Sequence, residues 1–168
     1  SMVSYLMWYI GRVNQLWRSF MKNWIRVIVA LNSRLDALTE KIDEEVSLMS
    51  TSLYEPTMDL INDIIALNDK KVKLINLRIL HDTIKDALLP NEYILLKEVS
   101  TGHSFAELAE RTGINKGNAY RLFCKYADKA AAAVESLGFT AEKLGKEYND
   151  VPIVRRLYLR LNKEVNSA

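Results

Sequence analysis

Apolar residues recur down the first third of the chain at steps of three and four: Leu6, Ile10, Val13, Trp17, Met21, Trp24, Ile28, Leu31, Leu35, Leu38, Ile42, Val46 and Met49. A helix keeps such positions on one face, and a stripe this regular is close to a coiled-coil seam. The pattern predicts one long helix, with Gly11 as its weak point, about 1 kcal/mol worse than Ala. Ser50, Thr51, Ser52 and Pro56 interrupt it. Pro56 suits the first turn of a second helix, expected from about Thr57 to Leu88. One stripe on that helix holds Ile61, Ile65, Val72, Ile75 and Ile79. Another holds Ile64, Leu67, Leu74, Leu77, Ile84 and Leu88. Two stripes imply more than one neighbour, and a short link between long helices implies an antiparallel pair. Pro90 ends the second helix.

Beyond Pro90 the pattern breaks into shorter units. Tyr93, Leu95, Leu96 and Val99 predict a helix over Glu92–Val99, closed by Gly102. Ser104 and Glu107 then form a capping box, each satisfying a free N–H at the start of the next helix. Leu108 faces inward, and Ala109 is small where crossing helices approach. Gly113 stops the helix in a left-handed turn, Ile114 plugs that turn, and Asn115 caps the next helix. Ala119 and Leu122 face back onto the first helix. This spacing is the helix-turn-helix pattern, whose second helix enters the DNA major groove.

The second helix, residues 115–129, carries the candidate DNA contacts Asn115, Lys116, Asn118, Tyr120, Arg121 and Lys125. Asn115 and Lys116 stand at its start, where side chains and N–H groups meet phosphate. Asn118 and Arg121 suit adenine and guanine edges. Tyr120 suits sugar or a thymine methyl, and Lys125 and Lys129 suit phosphate. Gly117 departs from a good helix former. Ala130 to Ala133 continue the helix to about Leu137, and Gly138 stops it. Thr140 caps a short helix to Tyr148. Val151 to Val165 gives a last helix with Val154, Leu157, Leu161 and Val165 on an apolar face and Arg155, Arg156 and Arg160 outward; it either docks onto the hairpin, which the need to cover its apolar face favours, or extends the DNA surface. The expected fold is all-α: a long N-terminal antiparallel helical hairpin (2–89), a helix-turn-helix domain (90–138) and a C-terminal helical extension (139–168).

Composition narrows the function. At 49% hydrophobic and 26% charged, the 168 residues are ordinary globular material, enough for one domain or two small ones. Net charge is only +2, but residues 1–30 carry Arg12, Arg18, Lys22 and Arg26 and no acid, while residues 31–60 carry two bases against seven acids. A basic segment fits an anionic partner. The single Cys124 excludes an intramolecular disulfide and fits a reducing, cytoplasmic setting. Ser1 before Met2 reads as a leftover of cloning. "MVSYLMWYIGRVNQLW" meets its first charge at Arg12, too early for the roughly 20 apolar residues of a membrane span. Trp17 and Trp24 fall on the seam, where they fill a core or an oligomer contact.

Catalytic signals are poor. His81 and His103 are isolated, Asp43, Glu44 and Glu45 spread around a helix, and no phosphate loop or activated nucleophile is present. The reading is a non-enzyme with no cofactor and no metal.

The helical hairpin followed by "LLPNEYILLKEVSTGHSFAELAERTGINKGNAYRLFCKYADKAAAAV" resembles small phage and prophage transcription regulators. Their C-terminal part is similar to region 4 of bacterial sigma factors, as in the RinA and ArpU-like groups. The resemblance covers about residues 25–135. It implies sequence-specific binding of double-stranded DNA, with RNA polymerase or a late-gene promoter as further contacts. "ELAERTGINKGNAYRLF" is also similar to the IclR winged-helix motif, but "ADKAAAAVESLGF" reads as helix where a wing would stand. The expected function is a DNA-binding regulator that forms homo-oligomers through the hairpin. Two other readings remain open: a helical adaptor for a protein partner such as a polymerase subunit, and a phage DNA-packaging subunit.

Overall fold

The computed structural model describes residues 1–51 and 56–166, with side chains described as far as Lys163. Among the described residues it is all-helical: α1 (Met2–Leu31), α2 (Leu35–Ser50), α3 (Met58–Ala87), α4 (Pro90–Ser100), α5 (Phe105–Thr112), α6 (Lys116–Ser136), α7 (Ala141–Glu147) and α8 (Pro152–Asn166). No helix among them is long and apolar enough to cross a membrane.

The single long first helix is corrected. Asn32–Arg34 tightens into a 3-10 turn between α1 and α2. Asn and Ser compete with the helix for backbone hydrogen bonds, which favours a break here. Three residues of tighter helix barely disturb the apolar stripe, so spacing alone did not expose it.

The antiparallel hairpin is built by α2 and α3. Asp36 Oδ1 receives Arg78 at 2.6 Å, and Asp43 Oδ1 receives Lys71 at 2.6 Å. Seven residues forward on one helix match seven backward on the other. Thr57 caps α3, its hydroxyl accepting from the Leu60 N–H. Pro56 therefore precedes the cap and does not sit in the first turn. Ser52, expected at the break, lies outside the described residues. Pro90 opens α4 at its first position, two residues earlier than the expected Glu92.

The second half of α1 is the centre of the molecule. Asn23, Trp24, Ile25, Val27, Ile28, Val29 and Leu31 are buried, and only the line Lys22, Arg26 and Ala30 is half-buried. It touches α3, α4, α6, α7 and α8. One core cluster draws on all of these elements, so packing runs across residues 89/90 and 138/139. As expected, α8 docks on the region read as the hairpin, here on α1, through Val154 and Leu161 and leaves Arg155, Arg156 and Arg160 exposed. Trp24 stacks on Tyr158 with ring centroids 4.6 Å apart, and Asn23 Nδ2 donates to Asn162 Oδ1 at 3.3 Å. Val165 lies beyond the described side chains.

The first half of α1 behaves differently. From Met2 to Arg12 every side chain is exposed. Leu6, Ile10 and Trp17, expected on a buried seam, are about half exposed. The core begins only at Met21, and of these three Trp17 borders an open groove with α7 and α8.

His81 is structural, as its isolation implied. It is buried, its Nε2 2.6 Å from the Tyr93 hydroxyl and its Nδ1 3.1 Å from Asp82. Burial lowers its pKa below the ordinary 6.5, outweighing the pull of Asp82. The folded state thus binds fewer protons than the unfolded chain, and this contribution to stability is present above pH 6.5 and lost as pH falls through the lowered value. The melting temperature is expected to drop between about pH 6.5 and 5, before carboxylates titrate. A melting series should show a flatter slope in this window for His81→Gln. Equal slopes in the two proteins would rule His81 out as the source.

Candidate nucleic-acid interface

The α5–turn–α6 unit forms as its spacing predicts. The Ser104 hydroxyl accepts from the Glu107 N–H at 3.1 Å, and the Ser104 N–H donates back to Glu107 Oε2 at 3.4 Å. Gly113 ends α5 at φ 71°, a left-handed conformation that favours glycine. Asn115 Oδ1 then accepts from the Gly117 N–H at 2.8 Å and starts α6. A Cβ on residue 117 would stand 3.2 Å from that Oδ1, so glycine here gives the capping amide room. Leu108 and Ala119 are buried between the two helices, and Leu122 packs against the core. Ile114 is corrected: it is 36% exposed and lies on the turn without plugging it.

All six candidate contacts are exposed. Asn118, Arg121 and Lys125 follow at steps of three and four, so they form one stripe along α6. None of Lys116, Arg121 and Lys125 is in an ion pair among the described residues. Tyr120 is anchored: its ring meets the Phe105 edge at 5.3 Å, and the Cys124 thiol one turn on raises its hydroxyl pKa. Cys124 itself is half-buried.

Past Lys125 the helix changes role. Lys129, expected on phosphate, places Nζ 2.8 Å from Glu92 Oε1. The same carboxylate oxygen accepts the Leu89 N–H at 2.9 Å. Lys129 first and the Leu89 N–H second hold the Glu92 pKa below its ordinary range. This pair clamps α6 to the start of α4. Asp128 lies 3.6 Å from Lys22 of α1. The exposed cationic stripe is therefore confined to the first three turns of α6, which is the part that enters a groove when a helix-turn-helix docks.

Sequence reasoning missed what stands beside that stripe. A groove of about 790 Å³ opens between α1, the α4–α5 turn and the start of α6. Lys22, Arg26, His103 and Lys116 are among its lining residues. The run of bases in residues 1–30 was the available signal, but nothing in the sequence said that α1 passes the start of α6. No family model, characterised protein or solved structure matches the chain.

Proposed function

We propose that this chain is a DNA-binding transcription regulator of phage or prophage type that reads duplex DNA with α6. The carrying observation is the exposed stripe Asn118–Arg121–Lys125 on the second helix of a capped, glycine-turned pair. Asn118 and Arg121 face base edges, while Lys116, Lys125 and the N–H groups at the start of α6 take phosphate. The sequence resemblance of this region to sigma region 4 supports the same reading, with RNA polymerase as a second partner.

Binding of this kind is driven by phosphate and weakens with salt. A titration with mixed-sequence duplex DNA at two salt concentrations tests it. Lys116→Ala/Arg121→Ala is expected to weaken binding by about 30-fold or more and to flatten the salt dependence by up to two counterions. Unchanged affinity in the double variant would sink the assignment of α6.

A further inference from the structure

The outer face of α3 carries a second pattern that the fold leaves uncovered. Met58, Ile61, Ile65, Asn68, Val72, Ile75 and Ile79 alternate steps of three and four without a break. That is the seven-residue repeat of a coiled-coil seam, with Met58, Ile65, Val72 and Ile79 in one core position and Ile61, Asn68 and Ile75 in the other. The six apolar members are 40–68% exposed, and Asn68 is exposed too. The opposite side of α3 is used by the fold, with Leu74, Leu77, Leu80 and Ile84 buried. The uncovered strip is roughly 32 Å long at 1.5 Å per residue. An exposed strip of that length, apolar but for Asn68 and on the order of a few hundred Å², is a candidate interaction surface.

We infer that this strip pairs with the same strip of a second copy, the two α3 helices running parallel and in register. Two features select a second copy and this direction. Asn68 is the one polar residue in the seam, and a partner must offer an amide or hydroxyl at that layer. An identical helix in parallel register brings Asn68 against Asn68, where one amide donates and the other accepts. The flanks of the seam also differ. One flank holds Lys71, Arg78 and Lys85; the other holds Asn62, Asp69, Asn76 and Thr83. Parallel pairing sets the basic flank of each copy beside the neutral-to-acidic flank of the other. Antiparallel pairing would oppose basic flank to basic flank. Lys71 and Arg78 are already bound to Asp43 and Asp36 of α2, so the hairpin enters the pair with that flank partly neutralised.

The pairing stands independently of the DNA reading. Its consequence is geometric: a two-fold axis along α3 puts both α6 helices, which pack on α3, at the same end of the dimer.

Sedimentation of the full chain across micromolar concentrations is expected to give a dimer. Val72→Glu/Ile75→Glu should weaken association by about 100-fold or more while leaving helicity unchanged, because both side chains are exposed and not in the core. Ile61→Cys in a Cys124→Ser background should form a disulfide between copies on mild oxidation, since parallel register brings this position face to face. Three results would overturn the inference: a monomeric wild type, a dimer indifferent to the two glutamates but lost in Leu6→Lys/Trp17→Lys, or a glutamate-sensitive dimer in which the Ile61→Cys variant does not cross-link.

Discussion

Trp24→Ala is expected to cost about 3–5 kcal/mol of stability, the range for deleting a buried tryptophan. Trp24 is buried in the central half of α1, and what it holds is two elements deep. Its ring stacks on Tyr158 of α8 at 4.6 Å and lies 6.2 Å from Tyr148 at the end of α7. The Tyr148 hydroxyl, whose pKa burial raises, donates to the Lys73 carbonyl of α3 at 2.8 Å. Removing the indole opens a cavity among aromatic walls that cannot collapse without moving α8. In a chain of this length the melting temperature should fall by roughly 6–20 °C. Trp17 provides the internal control. It sits two seam positions earlier on the same helix and is about half exposed. Trp17→Ala should stay within about 1 kcal/mol, as surface changes do. Urea unfolding of the two variants decides the matter. Equal losses would mean that the first half of α1 is as firmly packed as the second.

That contrast marks where the sequence was legible. Caps were: Ser104 with Glu107, Asn115 and Thr140 each accept the backbone N–H that their position implies. Such bonds join residues two or three apart, so the local sequence contains both partners. The apolar period also recovered the inner stripe of α3. It failed on α1, because a stripe selects one face, and the second half of α1 is buried on every side but the narrow line of Lys22, Arg26 and Ala30. Asn23, Ile25, Val27 and Val29 belong to no single stripe, and the bases Lys22 and Arg26 stand between them. Long-range pairs were illegible for a different reason. Lys129 finds Glu92 across 37 positions, and Asn23 finds Asn162 across 139. Each looked like a surface polar residue until the fold brought its partner. The expected phosphate role of Lys129 failed on this ground, whereas Lys116, Arg121 and Lys125 kept their exposure.

Leu108→Ala should separate the two roles that the α5–α6 pair can play. Leu108 is fully buried beneath the pair, so its truncation is expected to cost about 2–5 kcal/mol. The loss should be local. α6 is held further along by Ala127, Ala130 and Val134, all buried, and by the Lys129–Glu92 pair. α5 has Leu108 as its only buried residue. Hydrogen exchange should therefore quicken across residues 105–112 and change little across 126–134. DNA binding adds the functional reading. If α6 reads DNA only when α5 braces its first turns, affinity should fall about as far as in Lys116→Ala/Arg121→Ala, although every candidate contact is still present. An α5 that exchanges freely while DNA affinity holds would show that the pair is a packing unit and that the cations of α6 bind without it. Unchanged exchange across α5 would instead contradict the packing derived for Leu108 itself.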